Sequence, residues 1–207
     1  MIECTRCKSF GLEYKRHYRP EEFLWGRPDS LVWVIGLNPK TRNGVNNDSR
    51  TAQELVHFLD DPGIVKADFF YNDYNVVSQR LFSLFGKPKG AAHTDLVKCY
   101  SKNFPPAGMR GKGVQKIIDN CSDYLRKQIE VLQPRMIICN GAPVCREIRR
   151  LFPPFQSEDP GLTSYKTSIA EREIAIVLSG FIGRIDNYAK RRLGVEIDKY
   201  LTEYGLG

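Results

Sequence analysis

Residues 117–151, IIDNCSDYLRKQIEVLQPRMIICNGAPVCREIRRL, decide the fold class. Apolar residues recur at three- and four-residue spacing from Ile117 to Leu132, which predicts a long amphipathic helix. Gln133-Pro134 stops it, because proline lacks a backbone donor and disfavours the helical conformation in the residue before it. Arg135 to Cys139 (RMIIC) then reads as a short apolar strand, and Pro143 to Leu151 as the next helix. An apolar strand set between two helical segments is the building unit of a parallel sheet covered on both faces.

The same alternation extends outward. Leu31 to Leu37 (LVWVIGL) predicts a buried strand ending at Gly36, with further strands at His93 to Val97 and Ile174 to Leu178. Helices are expected over Thr51 to Phe58, with Thr51 as N-cap and Glu54 closing a capping box, and over Val76 to Phe85. A basic helix follows from about Asn187 to Tyr204. The Pro-rich stretch from Phe152 to Gly161 reads as an internal loop, since too little chain follows it for a second core. The expectation is one α/β domain over residues 1–207, without repeats or low-complexity segments.

Thirty-one Lys and Arg against 24 Asp and Glu leave a formal charge of +7, which favours a polyanionic partner but also fits a solvated basic surface. No apolar run approaches the length of a bilayer span, and a cysteine pair stands where a signal peptide would be apolar, so an intracellular, cytoplasmic protein is expected. It is expected to act as a monomer, with no membrane partner. Among six cysteines, Cys4 and Cys7 form a Cys-x-x-Cys, while Cys99 and Cys121 flank a distant loop. Four thiolates can close a zinc site or ligate an iron-sulfur cluster, and spacing alone does not choose; four ordinary reduced thiols are the plainer reading. Cys139 and Cys145 read as buried bystanders.

In a parallel sheet, ligands bind beyond the carboxyl ends of the strands. There the sequence carries Gly36-Leu37-Asn38-Pro39-Lys40, then His93-Thr94-Asp95 leading to Lys98-Cys99, Asn140-Gly141-Ala142, and Ser179-Gly180-Phe181-Ile182-Gly183-Arg184. The loop between Cys99 and Cys121 combines Lys102, Arg110 and Lys112 with three glycines, a composition that brings charge and backbone close to phosphates; a solvated loop would look the same. Lys190, Arg191 and Arg192 of the last helix are weaker phosphate candidates.

VIGLNP (34–39), HTDLVKC (93–99) and CSDYLRKQIEVLQPRMIICNGAPV (121–144), in this order and with the cysteines in corresponding places, resemble motifs of the uracil-DNA glycosylase superfamily. The resemblance runs from Cys4 to about Arg192 and is strongest to the iron-sulfur branch of the thermostable, family four and five type. The first motif has the Gly-x-Asn-Pro form of the mismatch-specific and single-strand-selective branches. The resemblance implies a three-layer α/β/α sandwich around a four-stranded, mostly parallel sheet. It also implies a [4Fe-4S] cluster, structural in role, on Cys4, Cys7, Cys99 and Cys121, with zinc as the alternative, and DNA with a damaged base as partner.

A glycosylase must draw a base out of the stack, at a cost of a few kcal/mol, and break its bond to the sugar. On the resemblance, Asn38 orients the attacking water, since an amide oxygen accepts a hydrogen bond but does not take the proton. Gly36 and Leu37 shape the base pocket. Aligning QRLFSLF (79–85) with the family points to Tyr74 as the stacking platform, with Phe70 and Tyr71 close behind; core packing is the alternative for any of these rings. Lys40, Lys102, Arg110 and Lys112 are expected on phosphates. Phe181, Ile182 and Arg184 fall where the family inserts a wedge into the duplex; a turn packed on the core is the alternative.

Two positions depart from the family pattern. Asp95 stands where a uracil-reading amide is usual; an ionised carboxylate only accepts, whereas a protonated one could donate or act as acid or base. Ser179 stands where a histidine would stabilise the leaving anion. These departures admit hypoxanthine or other deaminated or alkylated purines as substrates beside uracil. A non-catalytic iron-sulfur nucleic-acid-binding protein is the reading from another class.

Overall fold

The structure, a computed structural model, describes residues 4–12, 26–38, 69–99, 101, 103–155 and 161–206. The helix expected over Thr51 to Phe58, together with Lys40 and Lys102, lies outside the described residues. The same holds for the side chains of Phe70 and Tyr71, whose backbone is helical.

Among the described residues, five strands form one sheet: β1 (Val32–Gly36), β2 (Ala91–Asp95), β3 (Met136–Asn140), β4 (Ser164–Ile169) and β5 (Arg172–Ser179). Their order is β2-β1-β3-β5-β4; β1, β2, β3 and β5 run parallel, and β4 is an antiparallel edge. The four strands read from the sequence are these four parallel ones. β4 is the addition. It pairs with β5 through a two-residue turn at Ala170-Glu171, where both φ values are positive, at 49° and 64°. Tight hairpins of that type favour Asn-Gly or Asp-Gly, and Ala-Glu carries no such signal.

Helices α1 (Phe69–Val77), α2 (Gln79–Leu84) and α5 (Asn187–Glu203) cover one face of the sheet, where Tyr74, Leu81 and Ile197 pack on Val32, Val34, Ile138 and Val177. On the other face, α3 (Lys112–Leu132) and α4 (Ala142–Leu151) pack Ile117, Leu125, Val144 and Ile148 on Trp33, Ile35 and Ile137. The result is the expected three-layer α/β/α arrangement. Among the described residues, no helix is long and apolar enough to cross a membrane.

The helix expected over Val76 to Phe85 is broken in two. Ser78 is extended, and its hydroxyl caps α2 by accepting from Leu81 N at 3.0 Å. The same hydroxyl donates to Asp198 of α5 at 2.5 Å. A Cβ on Gly194 would collide with the Val77 carbonyl, so α5 crosses α1 in direct backbone contact where α1 ends. A serine that caps, beside a helix too close for a side chain, outweighs the apolar periodicity that suggested continuity.

The next described helices after β1, α1 and α2, lie on one face of the sheet, whereas α3 after β2 and α4 after β3 lie on the other. This places the topological switch point at the carboxyl end of β1, between β2 and β3. Gly36, Asp95 and Asn140 end those three strands.

Candidate active site

Gly36 is paired with Asp95 across β1 and β2. Alternation along β2 puts His93 on the same face as Asp95, toward α1 and α2. His93 Nε2 lies 3.7 Å from Asp95 Oδ1, and both side chains are buried. Gly36 makes their room: a Cβ there would sit 2.8 Å from His93 Nε2 and closer still to Asp95 Oδ1. The sequence reading used His93 only to mark the strand, although its two-residue spacing from Asp95 was the available signal that an imidazole joins the carboxylate.

Beyond the strand the first motif stays attached to its neighbour. Leu96 N donates to Gly36 O at 2.9 Å, and Val97 N to Leu37 O at 2.8 Å. Leu37, half-buried, packs against the α3-side core. Asn38 is buried, and its Nδ2 donates to the Ser101 carbonyl at 3.3 Å. That bond fixes which way the amide points, its oxygen being the end with acceptor capacity. Asn38 and Asp95 thus stand on adjacent strand ends, tied to one loop that also carries Cys99.

Two sequence expectations are corrected by burial. Tyr74 is a core residue: fully buried, it packs at 5.7 Å between centroids against Phe85, and its hydroxyl accepts from Asn140 Nδ2 at 2.9 Å. It lies three residues from buried Val77, on the face of α1 that meets the sheet, so no base can stack on it. Ile182, at 1% exposure, anchors the turn after β5 in the core and is not a DNA-facing tip. The neighbouring Phe181 is 42% exposed, with the Arg184 guanidinium 5.7 Å from its ring centre.

Arg110 and Lys112 are exposed at the entry to α3, Lys112 being its first residue. Ser179 is half-buried at the end of β5, and its carbonyl accepts from Gly141 N at 3.0 Å. Lys190 is buried and paired with Asp73 at 2.6 Å, which takes it out of the phosphate candidates, whereas Arg191 and Arg192 are exposed.

The thiols divide into two groups. Cys7, Cys99 and Cys121 are buried in the α3-side core, with thiol hydrogen bonds linking Cys121 to both Cys7 and Cys99. Asn120 Nδ2 points at Cys7 Sγ (3.4 Å) and Lys98 N at Cys121 Sγ (3.5 Å). Cys121 has competing hydrogen bonds, the one with Cys7 lowering its pKa and the one with Cys99 raising it; with burial the thiol is pushed up to about 11. The Cys99 contact and burial keep it protonated, so a bound cation would have to displace that proton. The soft donors and the N–H groups aimed at sulfur suit an iron-sulfur cluster. As the thiols stand they meet pairwise: among the described residues, no group of three or more His, Cys, Asp or Glu is disposed around a single metal ion. Cys4, half-buried, lies three residues before Cys7. Cys139 is fully buried, while Cys145, half-buried, donates to Ser179 O at 3.2 Å.

These features define a parallel α/β protein whose polar and ionisable side chains collect at the strand ends around the switch point, where such folds bind their ligands. The family model described as the uracil DNA glycosylase superfamily matches residues 23–180, and the chain belongs to that superfamily. The type-5 uracil-DNA glycosylase of Pyrobaculum aerophilum is 25% identical over 169 residues, covering 73% of this chain and 67% of that protein. The matched region contains all five strands entire; Cys4 and Cys7 precede it, and Phe181 and Arg184 follow it.

Proposed function

We propose that this protein is a DNA-repair glycosylase that takes a damaged base, uracil first, out of DNA and hydrolyses its N-glycosidic bond. The observation that carries the reading is the grouping of Asn38, Asp95 and His93 around Gly36 at the switch point of a superfamily member. Bond breaking builds positive charge on the sugar and negative charge on the departing base, so the site needs an oriented water and a partner for the anion. Asn38 Oδ1 orients the water. Asp95 supplies a carboxylate beside the developing cation, or in its protonated form a donor to the base, and His93 holds it on the base side of β2.

Phe181 and Arg184 enter the stack and contact phosphate, helped by Arg110 and Lys112 at the rim of α3 and by Lys40 and Lys102. Phe70 or Tyr71, rather than Tyr74, carries the stacking role. Cys4, Cys7, Cys99 and Cys121 would hold a [4Fe-4S] cluster. When bound, it ties the N-terminal segment to the loop of Ser101, whose carbonyl orients Asn38.

The carboxylate at position 95 favours one second reading. An acceptor-only group matches a base edge that presents N–H, as hypoxanthine and some alkylated purines do, better than it matches the uracil carbonyls. Single-lesion oligonucleotides carrying uracil, hypoxanthine, xanthine or an alkylated purine, single-stranded and paired, separate the readings when cut by wild type, Asn38→Ala and Asp95→Ala. Uracil release lost with Asn38 is the expected result; purine release lost with Asp95 moves the specificity to purines. Tight duplex binding without release from any substrate refutes the enzyme and leaves a binding protein.

A further inference from the structure

Asn140 ends β3 opposite Ser179 of β5 and is 1% exposed. Asparagine is depleted in strands, and buried it must satisfy both ends of its amide. It does so across two elements: Nδ2 donates to Tyr74 Oη of α1 at 2.9 Å, and Oδ1 accepts from the Ile182 backbone N–H at 2.8 Å. The second bond grips the turn between β5 and α5. That turn is closed on itself by Arg184 N and Ile185 N, both donating to Phe181 O, at 2.8 and 3.1 Å. Its buried side chain, Ile182, is flanked by exposed Phe181 and Arg184. The ion pair of Lys190 with Asp73 joins the same two helices, α5 and α1, a short way along.

We infer that Asn140 is a positioning residue for base extrusion: its amide fixes the height and tilt of the turn that presents Phe181 and Arg184 to the duplex. The inference rests on the glycosylase reading above and adds to it a residue that touches no substrate. A wedge works only if it meets the base step in register, and displacement of about 1 Å is enough to lose most of its effect. Single-stranded substrate has no stack to open, so it does not need the wedge. Asn140 therefore acts on the preference for duplex and leaves bond cleavage alone. A role in folding alone would lower activity on both substrates together.

The test is single-turnover release of uracil from matched duplex and single-stranded oligonucleotides by wild type, Asn140→Leu and Asn140→Asp, with hydrogen exchange at the Ile182 amide read on the same proteins. Leucine keeps the volume and removes both bonds. It is expected to cut duplex release by at least about tenfold while single-strand release stays within about twofold, and to speed Ile182 exchange by a similar factor. Aspartate retains an acceptor for Ile182 N–H and is expected to restore the duplex-to-single-strand ratio. Asn140→Ser, too short to reach either partner, gives the same result as leucine should the leucine variant not fold. Equal losses on both substrates, or an unchanged ratio, overturn the inference. Should wild type release no uracil, the same duplex and single-stranded comparison is run on hypoxanthine, xanthine and alkylated-purine oligonucleotides, and a wild type that releases no base from any of them overturns instead the glycosylase reading on which the inference rests.

Discussion

Replacing Gly36 by alanine tests the site with a single methyl group. Gly36 lies in a regular strand and is not among the glycines with positive φ, so alanine brings no backbone strain at this position. Its effect must come from what the methyl meets: His93 Nε2 at 2.8 Å, and Asp95 Oδ1 at less. Both side chains are buried, His93 at 4% and Asp95 at 5% exposure, in a packed layer with little room to yield. Overpacking of this kind costs about 1–3 kcal/mol, and whatever relief the protein finds comes from moving the carboxylate and imidazole. A displacement near 1 Å at reacting groups lowers rate by about a hundredfold. Denaturant unfolding of Gly36→Ala, Asp95→Ala and the double variant measures the contact independently of any activity. Removing the Asp95 carboxylate should recover much of the loss, giving a coupling of about 1 kcal/mol or more. Additive losses, or a Gly36→Ala protein with unchanged midpoint and unchanged base release, would refute the argument that glycine is required by its two neighbours.

Other outcomes follow from particular contacts. Phe181→Ala should lower uracil release from duplex by about tenfold or more and leave single-stranded substrate nearly unaffected, as loss of an inserted side chain worth a few kcal/mol implies. Cys121→Ser should remove the brown colour and bound iron from anaerobically purified protein and lower its melting temperature, whereas colourless wild type with stoichiometric zinc would replace the cluster by zinc. Glu147 titrates below its ordinary 4.5; burial raises it, but hydrogen bonds from Arg150 and Ser122 outweigh that penalty. A depressed carboxylate stabilises the folded state above its unfolded pKa and loses that contribution as pH falls through the folded value. Glu147→Gln should therefore cost about 1–2 kcal/mol at pH 7 and progressively less in acid; a deficit constant with pH would contradict the sign. Changing Ala170-Glu171 to Asn-Gly should raise stability by about 1 kcal/mol by relieving two left-handed residues in the β4–β5 turn, as chemical unfolding would show.

Most of the sheet was legible because its strands are short, apolar and bounded by punctuation: Gly36 after β1, Gln133-Pro134 before β3, and Asn140-Gly141 after it. β4 was not, since its burial alternates along an edge and its turn lacks the usual residues. Nor was the break at Ser78, which depends on Gly194, 116 positions further along the chain, pressing on the Val77 carbonyl. The site divides along the same line. Residues named by a motif at a strand end, Gly36, Asn38 and Asp95, lie together because the motif and the strand end coincide. Residues named by alignment to the family away from those strand ends fared by how the chain packs locally. Tyr74 and Phe181 are both aromatic, yet one is fully buried and the other 42% exposed, and composition says nothing about which face a ring will take. Asn140 shows the converse case. An asparagine at the end of an apolar strand looks in sequence like part of a turn, and its role is defined by bonds to residues 66 positions before it and 42 after. A buried amide with both ends occupied across distant elements leaves no local signature. The best sequence clue to such a residue is therefore its incongruity: a polar side chain ending a strand whose other residues are all apolar must be bonded to something, and the question is to what.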